Sequence, residues 1–256
     1  MKYCTVCDRD QEEGKFCFYC GGILEEYPAG QEPEKTETEE ERRARIEAER
    51  LALNDFDIIK GVLVKYLGKS EKVVIPRVVK EIGKEAFKNN TTIKEVVIPE
   101  RTSVIGESAF SGCISLQEIN ISKNIQTILA GAFHCCGLIK VVVPGHLKVI
   151  DSNVFSNCSY LKEVVIEEGI ECISAYAFWG CGGLDDVILP NGLRYIETQA
   201  FGNCTLYEVF IPDSVENIAS NAFANSPHLL YVEIGKDTVF NSDSFDFHTE
   251  VVIRGE

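Results

Sequence analysis

Ile82-Gly83-Lys84-Glu85-Ala86-Phe87-Lys88-Asn89-Asn90-Thr91-Thr92-Ile93-Lys94-Glu95-Val96-Val97-Ile98-Pro99 is the stretch whose reading decides the fold, because its pattern returns along most of the chain. Its phenylalanine recurs as Phe110, Phe133, Phe155, Phe178, Phe201, Phe223 and Phe245, with gaps of 22 or 23 residues. An isoleucine stands five residues before each of the first seven rings, at Ile82, Ile105, Ile128, Ile150, Ile173, Ile196 and Ile218, and Phe240 fills that slot before Phe245. Self-similarity at this period marks a solenoid, in which one turn buries its apolar side only by stacking on its neighbours. A single turn could not fold alone.

After each ring comes an L-x-x-V-x-I segment: Ile93, Val96, Ile98; Leu116, Ile119, Ile121; Leu161, Val164, Ile166; Leu184, Val187, Leu189; and Leu206, Val209, Ile211. This spacing is the strand of a leucine-rich repeat, and Pro76, Pro99, Pro144, Pro190 and Pro212 close it where ladder hydrogen bonding must stop. Parallel strands should then stack about 4.8 Å apart. A second apolar pair, such as Ile170 with Ile173 or Leu193 with Ile196, turns the chain back before Ala-Phe carries it round a corner. The unit I-G-x-x-A-F-x-x-C-x-x-L-x-x-V-x-I-P resembles the BspA-type branch of bacterial leucine-rich repeats, from about Gly61 to Ile234 in eight turns. The resemblance implies a repeat solenoid with parallel strands on its concave face and short helical or 3-10 turns elsewhere. It also implies an interaction module without catalytic activity, and a surface or secreted place for many members.

The chain has 256 residues, 45% hydrophobic content, a formal charge of −15 and a pI near 4.8. That is enough apolar content for one extended core, and the charge would repel a phosphate backbone. Nucleic acid is therefore a poor partner. No stretch approaches the roughly 20 apolar residues that span a bilayer, and Met1-Lys2-Tyr3-Cys4 is no apolar signal core, so a cytoplasmic location is expected. An exported, adhesin-like protein is the alternative.

Two of the cysteine pairs, Cys4-x2-Cys7 and Cys17-x2-Cys20, open the chain and together supply four soft ligands. Tetrahedral ligation of one structural zinc follows, with no vacant position for a catalytic water. Gly21-Gly22 after Cys20 suits a turn whose amides approach thiolates, and the segment resembles the short zinc ribbons found at the front of many bacterial proteins. Redox dithiols are the competing reading, without the strand-and-helix context they normally have. Residues 1–27 hold three basic and six acidic residues, which argues for a structural or protein-facing role. The expected domains are this ribbon over 1–24, a charged linker over 25–55 containing one helix from Thr36 to Leu53, and the solenoid over 56–256. Glu39–Arg43 and Glu41–Arg45 are favourable pairs on that helix, whose apolar stripe is thin. An irregular cap is expected around Val251 to Ile253.

Cys113, Cys136, Cys158, Cys181 and Cys204 each lie three residues after a ring, in one column that reads as packing rather than disulfides. His134 beside Cys135 has the composition of a nucleophile with its base, but adjacent residues rarely point together and no third orienting group is visible. No catalytic residues are assigned, and the chain reads as a non-enzyme.

The exposed strand slot between V and I reads Val74, Val97, Asn120, Val142, Val165, Ile188, Phe210 and Glu233. The column two residues earlier reads Lys72, Glu95, Glu118, Lys140, Glu163, Asp186, Glu208 and Tyr231, with Asp185 beside it. Three consecutive carboxylates repel one another, which favours a basic partner or a cation; solvated surface acids are the plain alternative. The expected partner surface is Val142, Val165, Glu163, Asp186, Ile188, Glu208 and Phe210, with Tyr207 and Tyr231 flanking the ring. The expected function is scaffolding: a protein partner, carrying a basic and partly apolar segment, held on the concave face.

Overall fold

The computed structural model describes residues 54–255, together with the backbone of three short strands at Lys2–Cys4, Asp10–Gln11 and Leu24–Glu26. These three form one antiparallel sheet with Lys2–Cys4 in the middle. Cys7, Cys17 and Cys20, the side chain of Cys4 and the helix expected over 36–53 lie outside the described residues.

Two columns of short parallel strands run the length of the solenoid. The first contains Lys72–Val74, Glu95–Val97, Glu118–Ile119, Lys140–Val143, Glu163–Ile166, Glu208–Phe210, Tyr231–Ile234 and Glu250–Ile253. The second takes up the isoleucines ahead of each ring: Val62–Tyr66, Glu81–Ile82, Val104–Ile105, Thr127–Ile128, Val149–Ile150, Cys172–Ile173, Tyr195–Ile196, Asn217–Ile218 and Val239–Phe240. Sequence reading made this second segment a return of the chain; it is a sheet of its own. Between the two ends each parallel pairing joins residues one repeat apart, such as Lys140 with Glu163 and Tyr195 with Asn217, so the repeat length sets the register.

The corners between columns were expected to be helical or 3-10, and only Gly145–Leu147 is a 3-10 helix among the described residues. The reason is backbone handedness. Two residues of positive φ straddle each Ala-Phe or Val-Phe step: Glu85 and Asn89 around Phe87, Ser108 and Gly112 around Phe110, and Asn153 and Asn157 around Phe155. Alternation of this kind sends every other N–H along the solenoid axis, so Glu85, Phe87 and Asn89 donate to Glu107, Ala109 and Ser111 of the next turn. The residues between them bond locally, as Lys88 N–H does to Glu85. A run of helical φ would point all of these donors along the chain instead and leave neighbouring turns unjoined.

The rings form a single file. From Phe87 to Phe223 successive centroids lie 4.8 to 5.6 Å apart and near-parallel, and Phe245 follows Phe223 at 5.4 Å. That distance is close to the strand spacing, so one repeat stacks one ring on the next with favourable offset geometry. Tyr66 takes the slot before Phe87, and Phe56 covers Tyr66 at 5.1 Å. Phe56 belongs to Phe56–Ile59, which pairs antiparallel with Val62–Tyr66 through Lys60 and Gly61, both of positive φ as a tight hairpin requires. This hairpin closes the amino-terminal end of the described solenoid. At the other end, the irregular cap expected around Val251 to Ile253 is a regular strand instead, Glu250–Ile253, in parallel register with Tyr231–Ile234.

Beneath each corner the thiols of Cys113, Cys136, Cys158, Cys181 and Cys204 donate to the carbonyls of Phe87, Phe110, Phe133, Phe155 and Phe178 at 3.0 to 3.3 Å, and Ser226 donates likewise to Phe201 at 3.4 Å. All five are buried free thiols. Burial pushes Cys113, Cys158 and Cys204 up to about 12.

Candidate functional site

The outer face of the first strand column follows from its pleat. Val141, Val143, Val164, Ile166 and Val209 point into the core, which turns Val142, Val165 and Phe210 outward. Of the apolar and aromatic surface residues expected from the sequence, Val142, Val165, Ile188, Tyr207 and Phe210 are exposed, Ile188 most of all at 75% and Phe210 at 53%, whereas Tyr231 is half-buried. Phe210 lies beside Tyr231, ring centroids 6.2 Å apart, and Tyr207 beside His228 at 5.7 Å.

The charged column is resolved into paired and unpaired parts. Lys72 meets Glu95 at 2.8 Å, Lys140 meets Glu163 at 2.5 Å, and Arg254 reaches Asp213 at 3.2 Å and Glu233 at 3.5 Å. Of the three consecutive carboxylates expected to repel one another, Glu163 has the lysine one turn before it within ion-pair distance. Asp185, Asp186 and Glu208 form no ion pair among the described residues. Burial, and next the Glu233 carboxylate, hold the Tyr231 phenol above its usual range, so it stays a neutral donor, here to Glu233 at 3.3 Å.

The ladder of the first column is broken twice, between Glu118–Ile119 and Lys140–Val143 and again at this place. Leu184 to Leu189 aligns with the strands of other turns, yet only a single parallel bridge forms, Val165 with Ile188. Adjacent aspartates are poor strand residues, and here they would lie between Glu163 and Glu208. The interruption leaves a depression lined by Asp185, Asp186, Tyr207, Glu208, Leu230 and Tyr231. Of the expected surface, Asp186, Tyr207, Glu208 and Tyr231 line it, with Ile188 and Phe210 on adjacent outward positions; Val142, Val165 and Glu163 lie one or two turns away. Sequence reading missed Leu230, which is 60% exposed, although its alignment with Tyr207 one slot after the inward leucine was available. A second depression, along the other column at Ala175, Tyr195, Ile196, Glu197, Thr198, Asn217 and Ala219, has its Glu197 carboxylate already occupied by the Ala175 N–H at 3.0 Å.

One expectation is overturned. His134 and Cys135 do point together: Cys135 Sγ lies 3.1 Å from His134 Nε2, and a third group is present, Ser156 Oγ at 2.6 Å from Nδ1. Ser156 belongs to the next turn, which is why adjacency in sequence concealed it.

Residues 80–188 and 171–251 match the profile of the BspA type leucine rich repeat region, which spans six copies. Among solved structures the chain is similar to a leucine rich repeat protein of T. pallidum, with 27% identity over 71% of this chain and 82% of that one and a TM-score of 0.54. It is also similar in fold to a leucine rich cell surface protein of Faecalibacterium prausnitzii, with 21% identity over 75% of this chain and 71% of that one and a TM-score of 0.53. A leucine-rich repeat protein of Bacteroides ovatus shares the fold at 19% identity, 78% and 69% coverage and a TM-score of 0.50. No curated protein matches the chain.

Proposed function

Because this chain belongs to the BspA-type leucine-rich-repeat family, we propose that its solenoid is a non-catalytic scaffold that holds a basic, partly apolar segment of another protein on the first strand column. The observation that carries this reading is a coincidence in one place. Where the ladder is interrupted, Asp185, Asp186 and Glu208 lack ion-pair partners among the described residues, while Tyr207, Phe210, Leu230 and Ile188 expose large apolar surface. Lysine or arginine would satisfy the acids, and an apolar neighbour would cover the rings, which dominate the energetics of such contacts.

The test is selection from a random peptide library on the full chain, followed by affinity measurement against Asp186→Lys and Phe210→Ser. Both side chains are exposed, so melting temperature should hold. Enrichment of basic-apolar peptides is expected, with binding weakened roughly 30-fold by loss of the ring. Peptides that bind both variants undiminished would refute the site.

The same reading gives Cys4, Cys7, Cys17 and Cys20 one structural zinc, supported by the soft donor set and its two-pair spacing. One zinc per chain by metal analysis, lost in Cys17→Ser, is the expected result. It also keeps a cytoplasmic location, supported by the free thiols from Cys113 onward. Surface placement, which the family resemblance implies for many members, is the other reading, and cell fractionation separates the two.

A further inference from the structure

From Phe87 to Phe223 the residue two places after each corner ring has positive φ, and it is Asn89, Gly112, Asn157, Gly180, Asn203 or Asn225 in every such turn but one. Those residue types adopt the left-handed conformation most cheaply. The exception is Cys135, at φ 56°. A position that breaks its own local rule in a single turn invites a functional explanation.

What the thiol has there is an oriented base. Ser156 Oγ lies 3.1 Å from the carbonyl of Asn153 and 2.6 Å from His134 Nδ1; with its one hydroxyl hydrogen assigned to the carbonyl, its oxygen accepts from His134. His134 therefore carries its proton on Nδ1, and the lone pair of Nε2 faces Cys135 Sγ at 3.1 Å. Ser156 is buried and shields the orienting bond, whereas Cys135 and His134 are half-buried and reachable. Neither of the two depressions includes them, and the class of reagent suited to such a thiol is a small, exposed electrophile.

We infer that Cys135, His134 and Ser156 make a reactive-thiol site, at which Cys135 forms mixed disulfides with small disulfide compounds. The Sγ–H proton passes to Nε2 as Sγ attacks one sulfur of the reagent. A new S–S bond forms, the reagent's own S–S bond breaks, and the departing thiolate takes the proton back from Nε2. One thiol and one disulfide enter, and one mixed disulfide and one thiol leave, so no further oxidant is required. Burial holds His134 below and Cys135 above their usual ranges, so the resting pair is neutral and the proton moves during attack.

The chain contains its own control. Cys172 is also half-buried, but its thiol donates to the Glu197 carboxylate at 3.9 Å, a weaker base than imidazole, and burial together with that negative charge opposes a thiolate. The full chain is treated with glutathione disulfide near neutral pH, and modification at each cysteine is followed by peptide mass mapping. Cys135 is expected to react on the order of 100-fold faster than Cys172, from general-base assistance. His134→Gln should remove most of that ratio, and Ser156→Ala should lower it while leaving the Cys172 rate unchanged. Equal rates at the two cysteines in the unaltered chain, a measurement that needs no variant, would overturn the inference. So would an undiminished ratio in a folded His134→Gln.

Discussion

Replacing Phe155 with alanine tests the ring file where it should matter most. Phe155 is 0% exposed and lies between Phe133 at 5.6 Å and Phe178 at 5.3 Å, both near-parallel to it. Truncating a buried phenylalanine costs about 4 kcal/mol, a figure that includes the cavity left behind. Two ring stacks of about 1 kcal/mol each are lost with it. Phe245, at the end of the file, is 7% exposed and has one stacked neighbour, Phe223, with Phe240 meeting its edge. Its truncation should cost about half as much. The chain has one tryptophan, Trp179, directly after Phe178 and one turn from Phe155, so its fluorescence reports urea unfolding beside the cavity. With an m-value of roughly 2.5 kcal/mol/M, Phe155→Ala should lower the midpoint by about 1.6 to 2.4 M, and Phe245→Ala by about half of that. Equal shifts, or a fall of under about 0.4 M for Phe155→Ala, would refute the idea that stability passes from ring to ring through nearest neighbours.

Other consequences are checked as readily. Because burial raises the folded thiols of Cys113, Cys158 and Cys204 from 9.0 to about 12, their contribution is complete below about pH 9 and is lost as pH rises toward 12. The urea midpoint should therefore fall from pH 8 to about pH 10.5, and less so in Cys158→Ser, which keeps a donor as Ser226 does. At Gly145 a Cβ would stand 1.8 Å from the carbonyl oxygen of Glu168, backbone against backbone, so Gly145→Ala should cost at least about 2 kcal/mol in a thermal melt. Gly182→Ala, with nothing within 4 Å, should shift it by less than about 0.5 kcal/mol. Cys135→Asn, which restores the residue type of Asn89 and Asn157, should raise the melting temperature by an amount worth about 0.5 to 1 kcal/mol.

What was legible in the sequence is what repeats. The rings, the isoleucines ahead of them, the inward L-x-x-V-x-I residues and the buried cysteines each return at one offset, and a fixed offset is enough to place them in the core or on the surface. The features that escaped are those in which one turn differs from the rest. Asp185 and Asp186 fit the strand alignment, yet the ladder is interrupted at their turn, between Glu163 and Glu208, beside the depression they line. Tyr66 occupies a ring slot under a different letter, and Phe56 covers it from a hairpin with no counterpart elsewhere. His134 and Cys135 meet only because left-handed φ at Cys135 and a serine one turn on fix their directions, and sequence spacing does not encode either direction.

The central claim is that the interrupted face, rather than some other surface, receives the partner. It is tested most directly by placing a photo-crosslinking benzoyl-phenylalanine at Phe210 on the first column and, separately, at Val239 on the second, then irradiating each with a library-selected basic-apolar peptide. Both positions are exposed strand residues. Crosslinking from position 210, competed away by unlabelled peptide and missing from position 239, is the outcome this account requires. Efficient crosslinking from 239 with none from 210 would contradict it.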